Sequence, residues 1–198
     1  MKKLFVRFIG WYLFLLAAQA GAVSLSLEPT TSTAGVGDSI SLDLRIAGLG
    51  NHTSDSLGDF DIEIAYDSTA LTFEGYSLAG NLGDLSLFEA IDYSYGGYAP
   101  GSVGLTEVSL LSSLELDAIQ ADSFTLATLD FTVDFLSSGS STLIAIDNVW
   151  ALGDGYGRWL SLDGTSDAHI TGVPEPSALV LMSMVLVGLG LLRKRTIT

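Results

Sequence analysis

Strict alternation of apolar and polar residues recurs in the central part of the chain, and this pattern restricts the fold more than any other feature. Successive side chains of a β-strand point to opposite faces of the sheet, so an alternating segment buries one face and exposes the other. The alternating apolar residues are Ile40, Leu42, Leu44 and Ile46; Phe60, Ile62, Ile64 and Tyr66; and Leu129, Phe131, Val133 and Phe135. Mostly Ser, Thr, Asp and Glu lie between them. We therefore expect half-buried strands that are apolar inside and acidic outside.

Further short strands complete an all-β prediction for residues 23–172. Phe124 and Leu126 lie one step out of phase with Leu129, which indicates a bulge or bend near Ala127. Other strands are expected at 23–28, 70–77, 90–95, 102–110, 141–149, 157–162 and 167–171. Gly-rich turns separate them, and only residues 113–121 suggest a short helix. Many short antiparallel strands joined in this way favour a β-sandwich or jelly roll.

The distribution of charge excludes one class of partner. Residues 23–172 carry 22 acidic and 2 basic residues, Arg45 and Arg158, for a formal net charge of -20. Nucleic-acid affinity depends on basic side chains that displace counterions from phosphates, so we expect no nucleic-acid partner. The chain also has no cysteine, which excludes disulfides, thiolate zinc sites and a cysteine nucleophile.

The N-terminal residues 1–22 have the organisation of a secretory signal peptide. Three basic residues precede an apolar run from Phe8 to Ala18, and small residues follow it. This order predicts cleavage after Ala20 or Ala22. An uncleaved membrane anchor is the alternative, and in either case the domain would cross the membrane.

The C-terminal residues 173–198 combine a short proline motif, an apolar segment and a basic tail. Pro174, Glu175 and Pro176 precede residues 177–192, which contain no charge, and Arg193, Lys194 and Arg195 follow. Sixteen helical residues extend about 24 Å, somewhat less than a bilayer core of about 30 Å, so a transmembrane helix would need help from its flanks. The basic tail should stay cytoplasmic, with the proline motif on the outer side.

This arrangement of motif, helix and basic tail resembles the PEP-CTERM sorting signal of Gram-negative bacteria. The resemblance implies cutting near the Pro-Glu-Pro by an exosortase, a membrane protease of bacteria that secrete exopolysaccharide. The precursor would be anchored in the inner membrane, and the mature protein would reach the cell surface or extracellular matrix. An ordinary tail anchor with an incidental Pro-Glu-Pro is the alternative.

The order of the central segments resembles the cohesin-like family, which is related to carbohydrate-binding modules. The matching stretches are the turn 34–38 before the strand 39–47, the strand 59–66 with its following turn 67–73, and the strand 127–133. The resemblance implies a jelly-roll sandwich of about nine strands. Cohesins of cellulosome scaffolds bind dockerin modules through one sheet face, so the resemblance also implies a dockerin-like protein as an alternative partner.

Catalytic motifs are missing from the sequence. His52 and His169 are 117 positions apart, and no serine lies in a Gly-x-Ser-x-Gly elbow, so no Ser-His-Asp triad is indicated. Two of the many carboxylates could still meet across a cleft, as in glycosidases, which leaves an extracellular polysaccharide-degrading enzyme as a third hypothesis. We expect a non-catalytic protein that requires no cofactor.

Acidic loops allow a calcium site without requiring one. Calcium prefers oxygen ligands, and the loops containing Asp154, Asp163 to Asp167, and Asp55 to Asp61 offer carboxylates. None of these loops follows an EF-hand pattern.

Aromatic residues are the best sequence indication of a ligand. The candidate carbohydrate-binding residues are Tyr93, Tyr95, Tyr98, Trp150 and Trp159. Aromatic rings stack on the C–H faces of sugars, while nearby Asp and Asn side chains accept bonds from hydroxyl groups. We therefore expect a secreted, non-catalytic surface or biofilm-matrix module that binds extracellular polysaccharide or a protein partner.

Overall fold

The computed structural model describes residues 22–52 and 55–173, which form two β-sheets packed face to face. The strands are β1 (Val23–Pro29), β2 (Thr33–Ala34), β3 (Ser39–Ala47), β4 (Leu57–Tyr66), β5 (Leu71–Leu78), β6 (Ala90–Asp92), β7 (Gly96–Ala99), β8 (Ser102–Ser109), β9 (Ser123–Val133), β10 (Ser141–Asp154), β11 (Leu162–Ser166) and β12 (Ala168–Gly172). One α-helix, α1, spans Ser113–Ile119, and a 3-10 turn spans Leu85–Leu87. The all-β sandwich prediction is confirmed.

The two sheets differ in size. The smaller sheet has the order β11-β1-β3-β9-β5, and the larger has the order β2-β12-β10-β4-β8-β6, with β7 also paired to β8. Most neighbours are antiparallel, but β1 pairs with β11, and β2 with β12, in parallel. The described residues contain twelve strands, more than the nine or so that the resemblance implied. The short strands β2, β6 and β7 account for the difference.

The alternating segments form the core as predicted, except at Phe135. The predicted inward position of Phe135 is wrong, because β9 ends at Val133 and the chain turns there, which leaves Phe135 66% exposed. The apolar positions of β3, from Ile40 to Ile46, are at most 1% exposed. They share one core with the apolar positions of β9, the neighbouring strand, and of β4 in the other sheet. The phase change in β9 is a bulge opposite Leu44 and Arg45, where both Leu126 and Ala127 are buried. The extra residue at a bulge shifts the alternation by one position, which explains the phase change.

Polar side chains fix the turns at both ends of the core strands. Asp38 Oδ2 accepts a hydrogen bond from the Gly35 amide at 2.8 Å, in the turn before β3. After β4, Asp67 Oδ1 accepts bonds from the amide and the hydroxyl of Thr69 at 2.9 and 2.7 Å. The Asp67 bonds form an Asx turn, which ends β4 and directs the chain into β5.

The strand expected at 157–162 is replaced by a turn and a single bridge. Asp154 Oδ1 accepts hydrogen bonds from the amides of Tyr156 and Arg158, and Gly157 has a positive φ of 75°. This geometry folds the chain back on itself, so β10 continues to Asp154 and only Trp159 pairs with Gly153 before β11 begins. The predicted helix, in contrast, is confirmed as α1, where the Ser112 amide donates to Glu115 Oε2 at 2.8 Å.

Candidate functional site

An open groove lies on the outer face of the larger sheet, across β4, β8 and β10. Its volume is about 420 Å³, and its side-chain lining includes Asp61, Glu63, Tyr95, Tyr98 and Trp150. The sandwich core lies behind this face, so the groove is supported by rigid strands. We call it the aromatic groove.

The carboxylates of the groove come from the polar positions of β4. Asp61 and Glu63 are two residues apart and therefore point to the same outer face. Thr106 of β8 donates its hydroxyl to Asp61 Oδ1 at 3.0 Å. This bond orients Asp61 along the floor of the groove.

Glu63 is the centre of the polar network. Its carboxylate accepts hydrogen bonds from the Tyr98 hydroxyl, from Asn148 Nδ2 at 3.2 Å and from the Trp150 side chain. These hydrogen bonds lower the pKa of Glu63 below its ordinary value of 4.5, and the bond from Tyr98 has the largest effect. The hydrogen bond to Glu63 raises the pKa of the Tyr98 hydroxyl, and the charge of Asp147 raises it further. Glu63 is therefore ionised at neutral pH, and it orients two of the aromatic rings.

Trp150 reaches the groove because β10 is irregular. The pairing of β10 with β4 shifts between Ile146 and Asn148, and again between Val149 and Ala151. Trp150 lies at the second shift and is 62% exposed. A bulge redirects a side chain that regular pleating would place elsewhere.

Tyr95 and Tyr98 form the opposite wall. Their ring centroids are 6.5 Å apart and the ring planes meet at 71°, an edge-to-face arrangement. A Cβ placed on Gly104 of β8 would lie 3.5 Å from Tyr95 and 3.6 Å from Tyr98, so the two rings lie directly over this glycine. Both tyrosines remain more than half exposed.

The other two candidate aromatic residues lie outside the aromatic groove. Tyr93 is exposed, and its amide donates to Thr106 O at 2.8 Å, so the pairing with β8 continues beyond the end of β6. Trp159 lines a smaller depression of about 170 Å³ together with Asp59 and Arg158. Asp59 is the next outward residue of β4 before Asp61, so this depression adjoins the aromatic groove along the same strand.

Two acidic side chains of the candidate calcium loops, Asp154 and Asp167, bind groups of the protein itself. Asp154 Oδ2 accepts from Arg158 Nε at 2.6 Å and pairs with its terminal nitrogen at 2.5 Å. Burial acts to raise the pKa of Asp154, but the hydrogen bonds from Arg158 outweigh it and lower the pKa. Asp167 Oδ1 accepts from the Ile146 amide at 3.0 Å. Within residues 22–52 and 55–173, no group of three or more Asp, Glu, His or Cys side chains could hold a metal ion.

One buried carboxyl was not anticipated from the sequence. Glu107 continues the inward row of Val103 and Leu105 on β8 and is fully buried. Neither of its carboxylate oxygens has a hydrogen-bond partner in the described part of the chain. Burial, and then the charge of Asp92, raise the pKa of Glu107 to about 8. The alternation in 102–110 already contained this signal, because Glu107 falls on an apolar position.

The ends of the domain adjoin the two predicted targeting segments. Val23, directly after the cleavage candidate Ala22, is fully buried and donates its amide to Ser161 O at 2.8 Å. At the other end β12 ends at Gly172, and the Val173 amide donates to Ala34 O at 3.1 Å. Ala20, the Pro-Glu-Pro residues, the predicted transmembrane helix and the basic tail lie outside the described residues. The part that is described contains no helix of the length and apolarity needed to cross a membrane.

Comparison with known proteins identifies the tail. Residues 172–195 match the PEP-CTERM protein-sorting motif. The match begins at the last residue of β12, so the sorting motif follows the folded domain with no intervening linker. No curated protein matches the sequence significantly.

Comparison with solved structures identifies the fold as cohesin-like. A cohesin module of Clostridium acetobutylicum is 19% identical, with a TM-score of 0.59 over 77% of this chain and 92% of that one. A type II cohesin domain from the cellulosome of Acetivibrio cellulolyticus is 15% identical, with a TM-score of 0.59 over 75% and 95%. A type I cohesin–dockerin complex from Clostridium thermocellum matches at 10% identity and a TM-score of 0.59, over 77% and 99%. Because these identities are below 20%, the similarity shows a shared fold and nothing more.

Proposed function

We propose that this protein is an exported, exosortase-sorted and non-catalytic binding module whose aromatic groove binds extracellular polysaccharide. The observation that carries the proposal is the convergence of Tyr95, Tyr98 and Trp150 around Asp61 and Glu63 in one groove. Each of the three rings is more than half exposed, although large aromatic side chains are usually buried in a sandwich core. Glu63 holds two of these exposed rings, Tyr98 and Trp150, by hydrogen bonds, and rings held in contact with water in this way are suited to a ligand.

The chemistry of the groove suits a sugar. The ring faces offer apolar surface for the C–H faces of a pyranose, and the carboxylates accept hydrogen bonds from its hydroxyl groups. The volume of about 420 Å³ falls within the usual range of small-ligand sites. The groove is open on the sheet surface, so it can accept an internal unit of a long polymer.

The sorting motif supports a location outside the cytoplasm. A PEP-CTERM motif implies export and processing by an exosortase, and with it a place at the cell surface or in the matrix of a Gram-negative bacterium. The last described strand ends at Gly172, so cutting near Pro174 to Pro176 would leave every described strand intact. The predicted helix would hold the precursor in the inner membrane until that cut.

A dockerin-like protein is the second candidate partner, because the fold matches cohesin modules, among them one solved in complex with a dockerin. Such a partner would dock on a sheet face. A polysaccharide-degrading enzyme is the third candidate, and turnover of a polysaccharide would support it.

Glycan-array binding by the full chain, purified in mild detergent, tests the proposal. We expect binding that Trp150→Ala and Tyr95→Ala each weaken by about tenfold or more, because truncation of a central aromatic anchor costs roughly 2 kcal/mol. Phe135→Ala is the matched control, since Phe135 is 66% exposed and lies outside the groove lining. Absence of any glycan binding, or equal loss in all three variants, would reject the groove as a sugar site. Capture of one protein that survives Trp150→Ala would favour the second candidate.

A further inference from the structure

The aromatic groove carries negative charge that the protein does not neutralise. Asp61 and Glu63 line it, and Asp147 is close enough to act on Tyr98. The two basic residues of the described domain are engaged elsewhere. Arg45 lies on β3 of the other sheet, 3.5 Å from Glu28, and Arg158 is paired with Asp154. A ligand in the groove therefore meets at least two carboxylates, and no Lys or Arg is among the lining residues that the structure describes.

The aromatic rings form a corner instead of a flat platform. Tyr95 and Tyr98 meet at 71°, and Trp150 closes the groove from β10. A single flat platform is sufficient to stack one neutral sugar ring. Rings that surround a small volume from several sides are instead suited to a cation, because the face of each ring attracts positive charge.

We propose that the groove selects an amino sugar of a polysaccharide, with its ammonium group held between the aromatic rings and the carboxylates of Asp61 and Glu63. This inference rests on the proposed function and specifies its ligand class. The ammonium group gains the charge of both carboxylates and the attraction of the ring faces. A neutral N-acetylated sugar lacks this contribution, and an anionic uronic acid is repelled.

The outer face of β4 favours a repeating polycation over a single lysine side chain. Asp59, Asp61 and Glu63 follow one another along this face, over roughly 13 Å of strand. Trp159 lies beside Asp59 at one end, and Trp150 lies beside Glu63 at the other. A polymer of amino sugars offers a ring for stacking and a charge at every unit along such a row. A lysine side chain offers one charge on a flexible stem.

The test compares two oligosaccharides of the same length and linkage, one with charged amino groups and one with neutral N-acetyl groups. Calorimetry on the full chain in mild detergent, at mildly acidic pH, measures binding of a β-1,4-linked glucosamine hexamer and of its fully N-acetylated counterpart. A lysine hexapeptide is the third probe. We expect the glucosamine hexamer to bind about tenfold tighter than the acetylated one, and added salt to reduce this ratio.

Glu63→Gln should remove most of the tenfold preference while the acetylated hexamer still binds, because the amide keeps the shape of the side chain without its charge. Asp163→Asn is the matched control: it removes one exposed charge from β11 in the other sheet and should leave the ratio unchanged.

Equal affinity for the two hexamers, unchanged by Glu63→Gln, would overturn the amino-sugar inference and leave sugar binding intact. Binding of neither hexamer would overturn the inference as well, and the glycan array, which covers other sugars, would then decide on the proposed function. Tighter binding of the lysine peptide than of the glucosamine hexamer would also overturn the inference, in favour of a protein ligand.

Discussion

The buried carboxyl of Glu107 should make the stability of the domain fall as the pH rises through neutrality. The pKa of Glu107 is about 8 in the folded protein, against 4.5 for an ordinary glutamate. A raised pKa means that the folded state holds a proton that the unfolded chain releases. This contribution is fully present below about pH 4.5 and is lost as the pH rises through about 8. A tenfold change in proton affinity corresponds to about 1.4 kcal/mol, so the full change in stability is on the order of 5 kcal/mol.

Glu107→Gln removes this titration while it keeps a side chain of nearly the same size. Asp92 of β6 pairs with Glu107 and its charge acts on that carboxyl, and the Tyr76 hydroxyl of β5 donates to Asp92 at 2.9 Å. Both remain in the variant, so the comparison isolates Glu107. The difference between the free energies of unfolding of the variant and the natural protein should therefore change by several kcal/mol in favour of the variant as the pH rises from about 5 to about 8.

Urea unfolding followed by tryptophan fluorescence at three or more pH values provides the measurement. Asp163→Asn serves as the control, since Asp163 is exposed and the stability curve of this variant should run parallel to that of the natural protein. Parallel curves for Glu107→Gln as well, with less than about 1 kcal/mol of change across the window, would refute the reasoning. In that case the carboxyl would not be held protonated in the folded state.

Two further predictions concern the ends of the domain. Signal cleavage should leave Gly21 at the N-terminus, because a cut after Ala22 would place a charged amine on Val23, which is fully buried; intact-mass analysis distinguishes the two sites. Gly172→Ala should lower the free energy of unfolding, measured by urea denaturation, by about 1–3 kcal/mol, since the added Cβ would clash with Ser137 O. A mass that begins at Val23, or a Gly172→Ala variant as stable as the natural protein, would contradict the respective prediction.

The sequence was sufficient to predict the core but not the groove. The inward rows of β3, β4 and β9 follow from period-2 alternation, and the bulge at Leu126 and Ala127 follows from its phase change. These features depend only on neighbours along the chain. The same rule, applied to Val103 and Leu105, would have revealed Glu107.

The groove depends on the alignment of strands that are distant in sequence. Asp61 faces Thr106, and Glu63 faces Asn148, because of the pairing of β4 with β8 and β10. A shift of one residue would reverse every side chain of a strand, and no local pattern fixes this alignment. The aromatic residues could therefore be selected as candidates, but their carboxylate partners could not. Trp150 enters the groove only because the bulges of β10 redirect it.

The position of β12 has a consequence for the timing of export. This strand lies between β2 and β10 inside the larger sheet, and the sorting motif begins at its final residue. A chain that is threaded outward from its N-terminus cannot seat this strand until the last part of the domain has emerged. In the proposed export, the sandwich would therefore close only when the tail emerges, so completion of the fold would coincide with presentation of the proposed cutting site.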